Sequence, residues 1–306
     1  MELDYVVKVV EQLALGNIPF CVVGELALNY YNVPRAVHDI EICVPANHLP
    51  EAVDILQTNC RLMKISNVPK EDIFTDYKKK FPRFASQEGP NIQLTLLLDE
   101  VYGFQCLENT IIPDDRQHSD SYYSKEILDV LSPDAIASLP FPSLGAFLGG
   151  LCSRYIKSRD VVYAMAAEQL VDGMDIDTAW CHVHLAHLPP VEQKFASDLV
   201  AGKRGRMDDF SENKITCYVV DIQDSTNIRR IPGSGFSELP EHGNGRRLME
   251  CNVSTLATQD VSEGGLDQTR PTLAPRHPTE GSEPKQQEPP EELFDDQNSP
   301  ASSWSL

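Results

Sequence analysis

Asp39 and Glu41 flank a single isoleucine in the run "HDIEICVP". In a strand, residues two apart point the same way. The two acids would stand side by side on one face, with Ile40 and Ile42 on the other. Carboxylates that close repel unless a proton or a cation lies between them. A divalent ion, Mg2+ or Mn2+, is the expected occupant, because carboxylate oxygens suit hard cations. Upstream, an apolar run ends at Gly24-Glu25, and thirteen residues separate that turn from Asp39. A glycine turn opening a helix can aim backbone N–H groups at a phosphate.

Positioning these groups takes a strand, a turn, a short helix and a second strand, and the hydrophobic pattern supplies them. Residues 2–15 suit a helix, with Val6, Val9, Val10, Leu13 and Leu15 near one face. Residues 19–24 read as a strand, 25–32 as a helix ended by Pro34, and 37–44 as the acid-bearing strand. "ANHLPEAVDILQTN" is a helix with Pro50 near its first turn, where proline is tolerated. "NIQLTLLLD" is a further strand. Residues 124–137 and 143–171 read as helices. "DIDTAWCHVHLAHLPPVEQKFASDLV" suits two short helices broken at Pro-Pro, and "KITCYVVDIQD" an isolated strand. The fold class expected is α/β (α+β), a minimal mixed sheet flanked by helices. Residues 1–175 form this domain, 176–231 a mostly helical extension, and 232–306 an acidic Pro/Ser/Glu-rich tail.

The tail holds 13 acids and 5 bases and few large apolar residues. Such a segment cannot bury enough surface to offset its ordering entropy, and is expected to be disordered. It is also a candidate site for a protein partner, near Leu293, Phe294 or Trp304. The whole chain carries a net charge of -20. A large nucleic-acid partner is therefore not expected, since phosphate affinity rests on Lys and Arg. The eight cysteines are scattered without a C-x-x-C pair, which suggests a reducing compartment. No run of about 18 apolar residues predicts a membrane span. The N-terminus lacks the basic start and apolar core of a signal peptide. A cytoplasmic location is the expectation.

The order strand, glycine turn, short helix, acid-bearing strand resembles the nucleotidyltransferase superfamily with the DNA polymerase beta-like fold. The residues that carry the resemblance are Val23-Gly24-Glu25 and Asp39-Ile40-Glu41-Ile42, with Arg35 four residues before the first acid. The chain is also similar to a group of filamentous-fungal nucleotidyltransferase-like proteins through "VPR..HD-E-CVP" and "AAEQLVDGM". The resemblance implies metal-dependent transfer of a nucleotidyl group from a nucleoside triphosphate to an unspecified hydroxyl. Asp39 and Glu41 would hold the metal, and Gly24 would shape the phosphate turn. Glu25, Arg35 and Lys80 would lie along the nucleotide.

Two departures from the family pattern keep a second reading open. Glu25 replaces the usual small residue, and would repel a triphosphate unless it turns outward or binds a metal itself. Active members place a third acid on a later strand. Here Gln93 and Thr95 occupy the matching positions, and Asp99 is the remaining candidate. A catalytically inactive descendant acting as a binding module fits these departures. A plain interaction domain with solvated acids is a third reading.

The cluster "YKKKFPRF" offers Lys79, Lys80 and Arg83 as phosphate contacts, or a solvated loop. Arg154, Lys157 and Arg159 are further candidates, or surface charges. His38 reads as a packed or capping histidine. "CHVHLAH" reads as a partly exposed helix rather than a zinc site, because no second ligand pair has the spacing.

Overall fold

The computed structural model describes residues 5–65, 76–85, 93–104, 107, 109–112, 123–207 and 214–236. It is a mixed α+β structure in which a five-stranded sheet is flanked by helices. In chain order the elements are α1 (Tyr5–Leu15), β1 (Cys21–Val23), α2 (Gly24–Tyr30), β2 (Asp39–Val44), α3 (Leu49–Thr58), β3 (Met63–Lys64), β4 (Arg83–Ala85) and β5 (Gln93–Leu98). There follow α4 (Lys125–Leu128), α5 (Pro133–Ser138), α6 (Leu144–Ser158), α7 (Val161–Gly173), α8 (Thr178–His184), α9 (Pro190–Ala201) and α10 (Ile222–Arg229). Short 3-10 turns at Asp76–Lys78 and Asp99–Tyr102 bracket β4 and β5.

The sheet order is β1-β2-β5-β4-β3. Among the described residues, only the central β2–β5 pair is parallel. One row of register partners runs Val23, Glu41, Thr95, Arg83 across four strands. Period-two alternation puts Ile40, Ile42, Leu94, Leu96 and Phe84 on the face opposite that row, and all five are buried. Each such side chain contributes about 1.5–3 kcal/mol by leaving water. The strands β3 and β4 are two and three residues long, too short for a periodicity signal. "KKKFPRF" is therefore in part a strand, with Phe84 fully buried, and not a solvated loop.

The helix expected over 143–171 is two helices. Arg159 takes the left-handed conformation (φ 60°) and ends α6. Asp160 then caps α7 by accepting from the Val162 N–H. The α6 helix presses on the turn Asp99–Tyr102. A Cβ on Gly150 would lie 1.9 Å from the Tyr102 carbonyl oxygen, so only glycine admits this approach.

The strand expected over 214–224 does not form. Residues 214–218 bend, and the chain then enters α10. Thr216 explains the difference. Its hydroxyl donates to the Asp172 carbonyl and accepts from the Tyr218 and Val219 N–H groups. A side chain thus satisfies the backbone that a partner strand would have served. Asp172 also receives both arms of Arg206 at 2.7 Å, and Asp175 receives Lys203, Ser225 and Arg229. These contacts fasten residues 203–206 and 216–229 to the end of α7.

The expected tail begins too early. Residues 232–236 pack on the domain. Tyr30 donates to the Pro232 carbonyl, Trp180 Nε1 to the Ser234 carbonyl, and the Leu144 N–H to the Gly233 carbonyl. The rest of the tail, with its candidate partner motif, lies outside the described residues. Among the described residues no helix is long and apolar enough to cross a membrane.

Candidate functional site

Asp39 and Glu41 share the face that the alternation requires. Asp39 begins β2, with a side chain 21% exposed, and Glu41 sits two residues deeper and is buried. Gly24 faces Glu41 directly. It has φ +65°, and an added Cβ would lie 2.7 Å from the Glu41 carboxyl carbon. The glycine turn is therefore required here twice, for its backbone conformation and for the close approach of a carboxylate.

A lysine lies between the acids. Lys78 Nζ is 2.9 Å from Asp39 Oδ2 and 2.5 Å from Glu41 Oε1. Tyr77 donates to Glu41 Oε1 at 2.9 Å, and Tyr102 to Glu41 Oε2 at 2.7 Å. Burial alone would lower the Lys78 pKa. The carboxylates of Glu41 and Asp39 outweigh that and hold it well above the ordinary lysine value. Burial and the Glu41 charge also push the Tyr77 and Tyr102 hydroxyls well above the usual phenol range, so both remain donors at neutral pH.

A cavity of about 520 Å³ opens over this constellation. Its buried wall includes Tyr102, Phe147 and Leu151, and Tyr163, Met165 and Ala166 of α7 line it as well. Glu25, Arg35 and His38 lie at its more exposed side. Glu25 does not point at the carboxylates' counter-ion. Its oxygens take the His38 backbone N–H at 2.5 Å and ring Nδ1 at 2.9 Å. His38 is accordingly an exposed partner of Glu25, not a packed histidine. Arg35 donates from Nε and Nη2 to Gln169 on α7, while Asn29 holds the Arg35 backbone from both sides.

Other expected site residues lie elsewhere. Asp99 follows the far end of β5. Asp39 pairs with Gln93, so Asp99 lies six positions along, roughly 20 Å at ~3.3 Å per residue. Its carboxylate accepts from the Glu100 N–H and does not line the cavity. Burial raises its pKa. We expect Asp99→Ala to leave ligand binding in the cavity unchanged and to cost about 1 kcal/mol by urea denaturation, the worth of one local hydrogen bond. Lys80 is exposed and does not line the cavity; Lys78, two residues earlier, does. Arg154 lies over the Tyr163 ring at 5.7 Å, while Lys157 and Arg159 are exposed. His184 stacks on Trp180 at 4.5 Å, in a packing role.

The donor set does not fit a divalent ion as it stands. Mg2+ is usually held by one or two carboxylates, with waters and substrate phosphates completing its shell, so those carboxylates must have oxygens to give. Three carboxylates line the cavity; Asp39 and Glu41 already hold Lys78, with Glu41 also accepting two phenols, and Glu25 is taken by His38. The third-acid position is Thr95, fully buried, whose hydroxyl has no hydrogen-bond partner among the described residues. No group of three or more His, Cys, Asp or Glu side chains among the described residues is arranged to hold a metal.

Sequence reasoning missed Lys78, Tyr77, Tyr102 and Tyr163. The run Tyr77-Lys78 carried the only available signal, an aromatic beside the first of three lysines. No family model matches the chain, and no curated protein does. Neither adds to the filamentous-fungal resemblance. Among solved structures, the antibiotic-resistance factor ANT(2'')-Ia aligns with TM-score 0.35 and 12% identity over 66% of this chain and 90% of that one. A likeness that distant identifies neither activity nor ligand.

Proposed function

We propose that this chain is a nucleotidyltransferase-like protein that works as a binding module, taking a nucleoside or nucleotide in the cavity above Asp39 and Glu41 without transferring it. The observation that carries the reading is the engagement of Glu41. Both its oxygens are already held, by Lys78, Tyr77 and Tyr102, so the acid best placed for a metal is committed to internal partners. The neutral Thr95 at the third-acid position agrees with it. The cavity's size lies within the range of small-molecule sites, and its mixture of aromatic walls and a few polar groups suits a base with a polar sugar or phosphate end.

The test is thermal stability of the full chain in EDTA with each nucleoside and nucleoside triphosphate. A ligand that prefers the native state must raise the melting temperature. We expect a rise of a few degrees, abolished by Ala166→Trp, which fills the cavity from α7. No rise with any nucleoside or nucleotide would sink the reading.

Metal-dependent nucleotidyl transfer is the second reading, favoured by the placement of Gly24 against Glu41 on adjoining elements. It requires Mg2+-dependent pyrophosphate release that disappears in Asp39→Ala. We expect none from the wild-type chain.

A further inference from the structure

We propose that Lys78 is a tethered counter-cation, its ammonium standing between Asp39 and Glu41 where a divalent ion would otherwise be held, so that the chain supplies its own counter-charge to the acid pair. The inference deepens the reading above, since it says how the floor of the cavity is kept ready for a ligand without metal. Its test reads Mn2+ rather than the organic ligand, so the two can fail separately.

Three features support it. The first is position: one Nζ reaches an oxygen of each acid, at 2.9 and 2.5 Å. An ammonium has three N–H donors, enough to serve both acids, and its single charge offsets one of their two negative charges. The second is enclosure. The Lys78 side chain is 9% exposed, and it lies over the Tyr77 ring at 5.5 Å. An entering metal would have to displace Nζ and leave it buried without a partner, which is strongly unfavourable. The third is the tether. Lys78 ends the 3-10 turn Asp76–Lys78, and its carbonyl accepts from the Phe81 N–H. Immediately beyond, the Pro82 carbonyl accepts from Leu96 on β5. The lysine is thus pinned to the same sheet that carries the acids.

The experiment is Mn2+ binding, followed by the paramagnetic resonance of free Mn2+, on the full-length wild type, Asp39→Asn, Lys78→Met, Lys78→Arg and the Asp39→Asn/Lys78→Met double variant. The acidic tail will hold some Mn2+ weakly, so only Asp39-dependent binding counts. Wild type and Lys78→Arg are expected to show none. Lys78→Met is expected to gain a stoichiometric Mn2+ that the double variant loses. Asp39-dependent binding in the wild type overturns the proposal, and so does a folded Lys78→Met that gains nothing. If Lys78→Met does not fold, the comparison of wild type with Asp39→Asn decides alone: Asp39-dependent binding overturns, its absence supports.

Discussion

Lys78→Met is expected to destabilise the protein by about 3 kcal/mol in EDTA, the cost of leaving the buried Glu41 and the half-buried Asp39 without their cation. Methionine keeps most of the volume, so the loss reports charge and hydrogen bonding rather than a cavity. Urea denaturation of wild type and variant checks it. The pH dependence gives a second signature. Lys78 has its folded pKa raised above the ordinary 10.5. A raised lysine contributes its full stability below the unfolded value and loses it as pH rises through the window above. The gap between wild type and Lys78→Met should therefore be constant through neutral pH and narrow above about pH 10.5. A gap that widens with alkali would contradict the assignment.

Gly24→Ala is expected to cost about 3 kcal/mol. Part is conformational: the left-handed backbone at φ +65° disfavours an alanine by about 1–2 kcal/mol. The rest is steric, because the new methyl would press on the Glu41 carboxyl group, which is held by two tyrosines and a lysine and has little freedom to retreat. Overpacking of this kind costs about 1–3 kcal/mol. The same substitution at Gly205, where an added Cβ meets nothing within 4 Å, should be nearly silent. Comparable urea midpoints for the two variants would show that the Gly24–Glu41 contact is not rigid.

The acid pair and the glycine turn were legible because both are local. A period of two fixes the face of Asp39 and Glu41 once β2 is recognised, and Gly24 marks a turn on its own. What surrounds them was not. Lys78, Lys79 and Lys80 are chemically identical in sequence, and the phase of a single 3-10 turn decides which one is buried. Nothing local fixes that phase. Tyr102 reaches Glu41 through the close approach of α6 at Gly150, a contact between distant segments. The misplacement of Asp99 is a matter of register. It shares a face with Thr95, but strand length carries it out of reach. The split between α6 and α7 was legible in principle, since Asp160 is a strong capping residue that the apolar run around it obscured. The strand expected at 214–224 failed for the opposite reason, because the polar Thr216 within a β-favouring run captured the backbone.

The contacts at 232–236 bear on the order in which this protein can be made. Tyr30, in the helix that opens at Gly24, closes its hydrogen bond on a carbonyl 202 residues later. A ribosome adds about 5–20 residues per second, so that partner emerges roughly 10–40 seconds after the helix does. During this interval the helix that opens at Gly24 is on the nascent chain while the partner of its Tyr30 is not. Tyr30, nearly inaccessible in the finished fold, must wait with its hydroxyl unpaired or borrow water, whereas Tyr31 meets the Pro142 carbonyl well before. Synthesis from the N-terminus thus supplies the helix that opens at Gly24 early and its last buried hydrogen bond late, and a chain stopped at residue 231 would carry every group of the site without that latch.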